Sequence, residues 1–164
     1  MRILGIDPGL AIVGFGIIDK HRNGIGVVDY GVINTHKDTP FPLRIQQVYN
    51  GVNRLIEKYK PDAIAMEELF FNTNTTTGIA VAEARGVALL AAINKTDNLF
   101  EYTPLQIKQA LTGYGRADKQ QVQYMVKAIL NLKAVPKPDD AADALAVALC
   151  HAQTSLALYD TKIR

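Results

Sequence analysis

A short, continuously apolar run, Ala63–Met66, lies between two stretches of helical periodicity and ends in the acids Glu67 and Glu68. A run of this length without polar residues is typical of a strand that is buried on both faces of a sheet. A strand with one face in water would alternate apolar and polar residues instead. The run therefore favours an α/β fold in which helices cover both faces of a sheet.

The other elements predict a mixed sheet of five strands. Three β-rich runs at the start, separated by the turn-forming pairs Pro8-Gly9 and Asn23-Gly24, indicate an antiparallel meander. Parallel strands are expected to follow, each after a helix. The predicted strands are Ile3–Asp7, Ile12–Asp19, Gly26–Ile33, Ala63–Met66 and Leu99–Tyr102. Helical spacing covers residues 43–59, 79–93 and most of the chain after Pro104, with breaks at Gly113–Gly115 and near Pro136.

Length and composition predict one ordinary globular domain. The 164 residues are enough for a core without disulfides, and 48% of them are apolar. The single Cys150 supports neither a disulfide framework nor a zinc site, which fits a reduced, cytoplasmic setting. We expect no membrane span and no secretory signal. Residues 154–164 are a candidate disordered tail.

Two acidic positions coincide with the ends of predicted strands. Asp7 ends an apolar strand, where a charge is costly unless it is paired or binds a cation, although an Asx turn in Asp7-Pro8-Gly9 would also explain it. Glu67 and Glu68 repeat this arrangement, and the carboxyl ends of neighbouring parallel strands share one crevice. Because side chains alternate along a strand, only one of these glutamates can share the face of Asp7. Periodicity does not say which one.

A second pair of acids opens the last predicted helix. Asp140 and Asp143 are three residues apart and therefore project from one helix face, flanked by alanines that allow close packing on the sheet. Asp139 and Asp140 also suit N-terminal capping, but Asp143 lies beyond a cap. If Asp7, a strand-end glutamate and these two acids converge, cations or protons must neutralise them. Oxygen ligands favour Mg²⁺ or Mn²⁺ over zinc, and two such ions about 4 Å apart hydrolyse phosphodiesters.

A basic stretch precedes these acids. The net charge is only +2, but six cations lie between positions 108 and 137, where Asp118 is the only acid. The cations are Lys108, Arg116, Lys119, Lys127, Lys133 and Lys137. A solvated helix face and a nucleic-acid contact are both compatible with this stretch.

Five motifs together resemble the RuvC family of Holliday-junction resolvases, over nearly the whole chain. They are Ile3-Leu4-Gly5-Ile6-Asp7-Pro8-Gly9, Met66-Glu67-Glu68-Leu69-Phe70, Ala84-Arg85-Gly86-Val87-Ala88, Phe100-Glu101-Tyr102 and Asp140-Ala141-Ala142-Asp143-Ala144-Leu145-Ala146. The resemblance implies a ribonuclease H-like fold and a homodimer that makes paired, magnesium-dependent nicks in four-way DNA junctions during recombination and repair. It also implies a branch-migration motor complex as a partner.

The same resemblance assigns roles to individual residues. It implies that the catalytic and metal-binding acids are Asp7, Glu67, Asp140 and Asp143, with two Mg²⁺ ions per site. Glu67 is therefore preferred to Glu68, which stands where relatives more often carry glutamine. Lys108 and Lys119 match lysines near the scissile phosphate, where they would balance charge. Phe70 matches an aromatic that stacks on unpaired bases, and the candidate DNA contacts are Phe70, Arg85, Lys108, Arg116 and Lys119.

Three other functions remain compatible with parts of the pattern. An actin-like ATPase or sugar kinase also opens with a strand, an aspartate and a glycine hairpin, but Leu10 and Ala11 replace the expected hydroxyl residue and the chain is short for two such domains. A non-catalytic junction-binding subunit would use the acids for structural cations. A hydrolase of RNA in hybrids would share the fold.

Overall fold

Five strands form one mixed sheet in the order β3-β2-β1-β4-β5. The first three strands pair antiparallel, whereas β4 pairs parallel with β1 and β5 parallel with β4. This arrangement confirms the predicted mixed sheet. The strands are β1 (Arg2–Asp7), β2 (Ile12–His21), β3 (Gly24–Asn34), β4 (Ala63–Glu67) and β5 (Leu99–Tyr102). The computed structural model describes residues 1–69, 75–154 and 161–163.

Helices cover both faces of this sheet, as predicted. Two helices pack on one face and a third on the other, and two shorter helices pack against the third. On the first face lie α1 (Phe41–Tyr59) and α2 (Thr75–Ile93); on the second lies α5 (Asp139–Gln153), joined by α3 (Pro104–Thr112) and α4 (Lys119–Ile129). None of the helices in the described ranges combines the length and the apolarity needed to cross a bilayer.

The apolar run Ala63–Met66 contributes to two separate cores. Ala65 faces α5, whereas Ile64 and Met66 face α1 and α2, and all three are buried. Burial of both faces explains why this strand contains no polar residue before Glu67. The sheet is therefore the middle layer of three.

Glycines in β1 and β2 let α5 lie directly against the sheet. A Cβ atom on Gly5 would stand 2.2 Å from the backbone oxygen of Ala144, and one on Gly14 would stand 2.0 Å from that of Asp140. Only glycine fits where two backbones approach this closely. The first turns of α5 are thereby held over the carboxyl end of β1.

The described part of the C-terminal segment lies at the edge of the sheet. Lys162 forms an antiparallel bridge with Phe100, and the Ile163 amide donates to the Leu99 carbonyl at 2.9 Å. Residues 155–160 and 164 are outside the described part, so the expectation of a disordered tail stays a prediction.

Candidate functional site

The register of β1 and β4 places Asp7 beside Glu67. Gly5 pairs with Ala65 and Ile6 with Met66, so the next positions along the two parallel strands are Asp7 and Glu67. Gly5 and Ala65 face α5, and alternation puts Asp7 and Glu67 on that same face. As the next residue along the chain, Glu68 would point to the opposite face of the sheet. Its backbone amide continues the hydrogen bonding between β4 and β5 by donating to the Tyr102 carbonyl at 2.9 Å. The choice that periodicity left open thus follows from strand pairing.

The N-terminal turns of α5 bring two more acids to this edge. The ideal Cβ position on Gly14 lies 2.0 Å from the Asp140 backbone oxygen and 3.2 Å from the Asp7 Cβ, so Asp7 and the start of α5 adjoin the same small glycine. Asp143, one turn further along, is half-buried. We call Asp7, Glu67, Asp140 and Asp143 the acid cluster.

Electrostatic coupling shows how close these carboxyl groups are. Burial raises the pKa of Asp7 to about 8, and the charges of Glu67, Asp143 and Asp140 contribute to the raised pKa. Burial and the charge of Asp143 likewise raise the pKa of Glu67 to about 7. The pKa of Asp143 is also raised, mainly by burial. Asp7 and Glu67 therefore hold protons near neutral pH that isolated carboxylates would release.

Two lysines share a cleft with two of the acids, Glu67 and Asp143. The cleft encloses about 290 Å³ and lies between the end of β4 and helices α3, α4 and α5. Lys119 Nζ lies 2.9 Å from an Asp143 carboxylate oxygen and 3.6 Å from one of Asp139. The positive charge of Lys108, on α3, partly offsets the increase in the pKa of Glu67. The cleft is lined by Glu67, Pro104, Ile107, Lys108, Lys119, Val122, Asp143 and Ala146.

The donor chemistry of the acid cluster suits a hard divalent cation, because every candidate ligand is a carboxylate oxygen. In the described ranges, however, no three His, Cys, Asp or Glu side chains are arranged so that they could hold a metal ion. The nearest positive charge to Asp143 is instead the Lys119 ammonium. The fold thus brings the acids together without setting them in a coordination geometry.

Sequence comparison identifies the family. The profile described as "Crossover junction endodeoxyribonuclease RuvC" matches residues 3–151. The chain belongs to the RuvC family. RuvC proteins from Desulforamulus reducens and Alkaliphilus oremlandii are 55% and 58% identical to it, over 94% of this chain and 95% and 94% of theirs.

Solved structures agree with this assignment to RuvC. A structure described as Thermus thermophilus RuvC in complex with Holliday junction substrate has a TM-score of 0.87, 37% identity and 93% coverage of each chain. The yeast mitochondrial Holliday junction resolvase has a TM-score of 0.67 at 16% identity, with 93% of this chain and 79% of that chain covered, which shows a shared fold alone. The ribonuclease H-like resolvase architecture expected from the resemblance is therefore confirmed.

The residues predicted to contact DNA lie in different settings. Arg116 is exposed in the loop between α3 and α4. Arg85 is half-buried on α2 and donates to a Glu101 carboxylate oxygen at 2.6 Å, an ion pair that does not support a role in phosphate binding. Phe70 lies outside the described residues. Of the RuvC candidates in the described ranges, Lys108 and Lys119 line the cleft with Glu67 and Asp143.

One buried polar pair near the site was not predicted. His151, on α5, lies 2.8 Å through Nδ1 from the Tyr102 hydroxyl, and burial lowers the pKa of this histidine to about 4. A neutral imidazole thus joins α5 to Tyr102 of β5, the residue that pairs with Glu67. The position of His151, two helical turns beyond Asp143, was the only hint of this pair in the sequence. Its partner Tyr102 lies 49 residues earlier, so no local pattern connects the two.

Proposed function

We propose that this chain is a Holliday-junction resolvase, an endodeoxyribonuclease that makes paired symmetric nicks in four-way DNA junctions during recombination and repair. The observation that carries the proposal is the placement of Asp7 beside Glu67 at the end of two parallel strands, with Glu67, Asp143, Lys108 and Lys119 lining one cleft. A plain junction-binding protein would not need desolvated acids beside a phosphate-binding surface, because they repel DNA.

The acid cluster is proposed to hold Mg²⁺, with Mn²⁺ as a substitute and two ions per site. Asp7 would serve both ions, Glu67 one of them, and Asp140 with Asp143 the other, once the carboxylates turn toward bound cations. When bound, such ions supply an activated water and stabilise the leaving oxygen in phosphodiester hydrolysis. Lys119 and Lys108 would counter the charge that develops on the scissile phosphate.

DNA affinity is expected to come mostly from phosphate contacts. Arg116, Lys108 and Lys119 are the described candidates, together with Phe70 for stacking on unpaired bases. Neutralising several phosphates releases counterions, so the affinity for junction DNA should fall steeply with salt. Arg85 is a weaker candidate because Glu101 already binds its guanidinium group.

A cleavage assay on a synthetic four-way junction tests the activity. We expect nicking with magnesium and binding without nicking when calcium replaces it. Asp7→Asn should keep junction binding and lose incision. Duplex DNA and an RNA–DNA hybrid, offered under the same conditions, should be cut far more slowly. Equal cutting of the hybrid would favour the alternative activity of the same fold.

Adjacent glutamates provide a matched test of the site. Glu67→Gln and Glu68→Gln remove one negative charge each, one residue apart. Only Glu67 shares the face of Asp7, so Glu67→Gln should abolish incision and Glu68→Gln should retain most of it. The reverse result would place the metal site on the other face of β4 and overturn the proposed cluster.

A homodimer is also proposed, with α2 as its contact surface. Exposed residues recur on α2 at alternating spacings of four and three, the pattern of a helix–helix seam: Ile79, Glu83, Gly86, Leu90 and Ile93. The three large apolar side chains are 63%, 51% and 52% exposed, and a Cβ on Gly86 would meet nothing within 4 Å. Such a stripe can pair with its own copy about a two-fold axis, which would present two active sites to a symmetric junction.

Sedimentation velocity tests this surface. Leu90→Arg should convert the dimer to a monomer, whereas Leu105→Arg, at a 62% exposed position on α3, should not. A monomeric wild type would refute the dimer. A branch-migration motor complex, implied by the resemblance alone, remains a proposed partner.

A further inference from the structure

An open groove on the outer side of α4 is separate from the acid cluster. It encloses about 450 Å³ beside the loop that joins α3 to α4, and its wall carries two exposed tyrosines, Tyr114 and Tyr124. Their exposed fractions are 57% and 65%. The groove is lined by Thr112, Tyr114, Ala117, Asp118, Gln120, Gln121, Tyr124 and Met125.

Backbone hydrogen bonds hold Tyr114 in place. Its amide donates to the Thr112 hydroxyl at 3.1 Å, and its carbonyl accepts from the amide of the buried Ala117 at 3.1 Å. Gly113, in the left-handed region at φ 71°, ends α3 just before this turn. The exposure of the Tyr114 ring is therefore a consequence of an organised turn. A ring on a backbone held in this way can stack on a planar group without the cost of ordering the loop.

The charges around the groove suit an anionic partner. Arg116 lies between Tyr114 and Ala117 in the turn, and Lys127 is one helical turn beyond Tyr124. Within the parts of the chain that the structure covers, neither cation forms an ion pair. The one acid on the wall, Asp118, is already used: its carboxylate accepts from the Gln121 amide at 2.8 Å and caps α4.

The groove and the cleft of the proposed nuclease site are lined by neighbouring residues at the start of α4. Lys119 lines the cleft of the acid cluster, while its neighbours Asp118 and Gln120 line the groove. A DNA strand that leaves the cleft past the start of α4 would run toward the groove that carries Tyr114 and Tyr124. Exposed aromatic rings beside amide side chains and free cations are the usual elements of a surface that binds unpaired nucleotides.

We propose that the groove between Tyr114 and Tyr124 is a second DNA-binding site that stacks an unpaired base of the junction strand leaving the active site. The proposal rests on the resolvase function proposed above. It assigns stacking to the two rings, phosphate contact to Arg116 and Lys127, and base-edge hydrogen bonds to Gln120 and Gln121. Apolar side chains of a protein partner would also fit the rings, but they would leave the cations without a role.

Substitutions at Tyr124 separate aromatic stacking from apolar packing. We expect Tyr124→Ala and Tyr124→Leu to weaken junction binding by about 5-fold or more, the effect of losing one stacked base, and Tyr124→Phe to bind like the wild type. Binding is measured by fluorescence anisotropy with calcium in place of magnesium. Tyr30→Ala, at an exposed tyrosine on the distant strand β3, is the matched control and should bind normally.

Two further measurements make the outcome specific. The slope of log affinity against log salt should be unchanged in Tyr124→Ala but smaller by about 0.7 in Arg116→Ala, since only the arginine neutralises a phosphate of the unpaired strand. The fluorescence of 2-aminopurine, scanned through the unpaired positions of the junction, should be quenched by the wild type and not by Tyr124→Leu.

Unchanged affinity and quenching in Tyr124→Ala and Tyr114→Ala, with normal magnesium-dependent nicking, would overturn the second site and leave the resolvase function intact. Loss of affinity in Tyr124→Ala that Tyr124→Leu restores would show apolar packing and would also overturn it. Failure of the wild type to bind or nick a junction would instead refute the underlying function.

Discussion

Replacing Asp7 by asparagine should stabilise the protein as it removes activity. Burial and the other acids of the cluster raise the pKa of Asp7 from 3.8 to about 8, so the folded chain keeps a proton at pH 7 that the unfolded chain releases. A tenfold difference in proton affinity between the folded and unfolded chains corresponds to about 1.4 kcal/mol in the free energy of unfolding. Asparagine is neutral at every pH and avoids this cost.

The sign and the size of the effect define a pH window. Because the folded-state pKa of Asp7 is raised, its ionisation costs stability progressively as the pH rises from about 4 to about 8. The free energy of unfolding of Asp7→Asn should exceed that of the wild type by up to about 4 kcal/mol at pH 7 and by up to about 2 kcal/mol at pH 5. These figures are upper limits because the half-buried side chain keeps some contact with water.

Urea unfolding followed by circular dichroism measures the difference. It should be done in EDTA at pH 5, 6, 7 and 8, with equal m-values as the check that both proteins unfold in the same way. Asp139→Asn is the matched control, since hydrogen bonding from Lys137 lowers the pKa of Asp139 and its removal should give no gain. An Asp7→Asn variant that is less stable than the wild type at pH 8, or whose advantage does not grow between pH 5 and 8, would refute the reasoning.

Metal affinity, helix packing and the buried histidine can each be tested separately. The magnesium concentration for half-maximal incision should be lower at pH 8.5 than at pH 6.5. The reason is that Asp7 and Glu67 must lose protons to bind cations, and their pKa values are raised to about 8 and about 7. A magnesium requirement that is the same at both pH values would contradict this. Gly14→Ala should destabilise the fold by several kcal/mol and abolish incision, because the new Cβ would lie 2.0 Å from the backbone oxygen of Asp140. Gly26→Ala is the control: nothing lies within 4 Å of its new Cβ, so stability and incision should both be unchanged. Tyr102→Phe should cost about 1–3 kcal/mol in urea unfolding, because it leaves buried His151 without its hydrogen-bond partner, and a neutral result would show that the imidazole finds another.

Local patterns were sufficient to predict most of the fold. Apolar runs and turn pairs gave all five strands of the described sheet, and β5 begins and ends at the predicted residues, Leu99 and Tyr102. The ends of β2 and β3 extend further than predicted, to His21 and Gly24, because hairpin pairing continues through polar residues at the sheet edge. Pairing of this kind depends on the neighbouring strand and leaves no signal in composition.

The candidate site was predictable only in part. The spacing of Asp140 and Asp143 indicated a shared helix face, but the choice of Glu67 over Glu68 depends on the register between β1 and β4. The ion pair of Lys119 with Asp143 joins two helices whose relative placement no periodicity encodes. The ion pair of Arg85 with Glu101 of β5 was equally unpredictable from the sequence, and it limits the availability of Arg85 to DNA.

The charge balance of the acid cluster explains why activity and stability should oppose each other here. In the part of the chain that the structure describes, Lys119 forms an ion pair with Asp143, but no lysine or arginine forms one with Asp7, Glu67 or Asp140. A further lysine could neutralise these acids only by filling the cleft that a phosphate must enter. The fold therefore leaves the remaining negative charge to protons or to bound cations, and close packing of α5 on Gly5 and Gly14 keeps the acids together against their repulsion. We therefore expect a variant that relieves this repulsion to gain stability for the same reason that it loses the proposed affinity for metal.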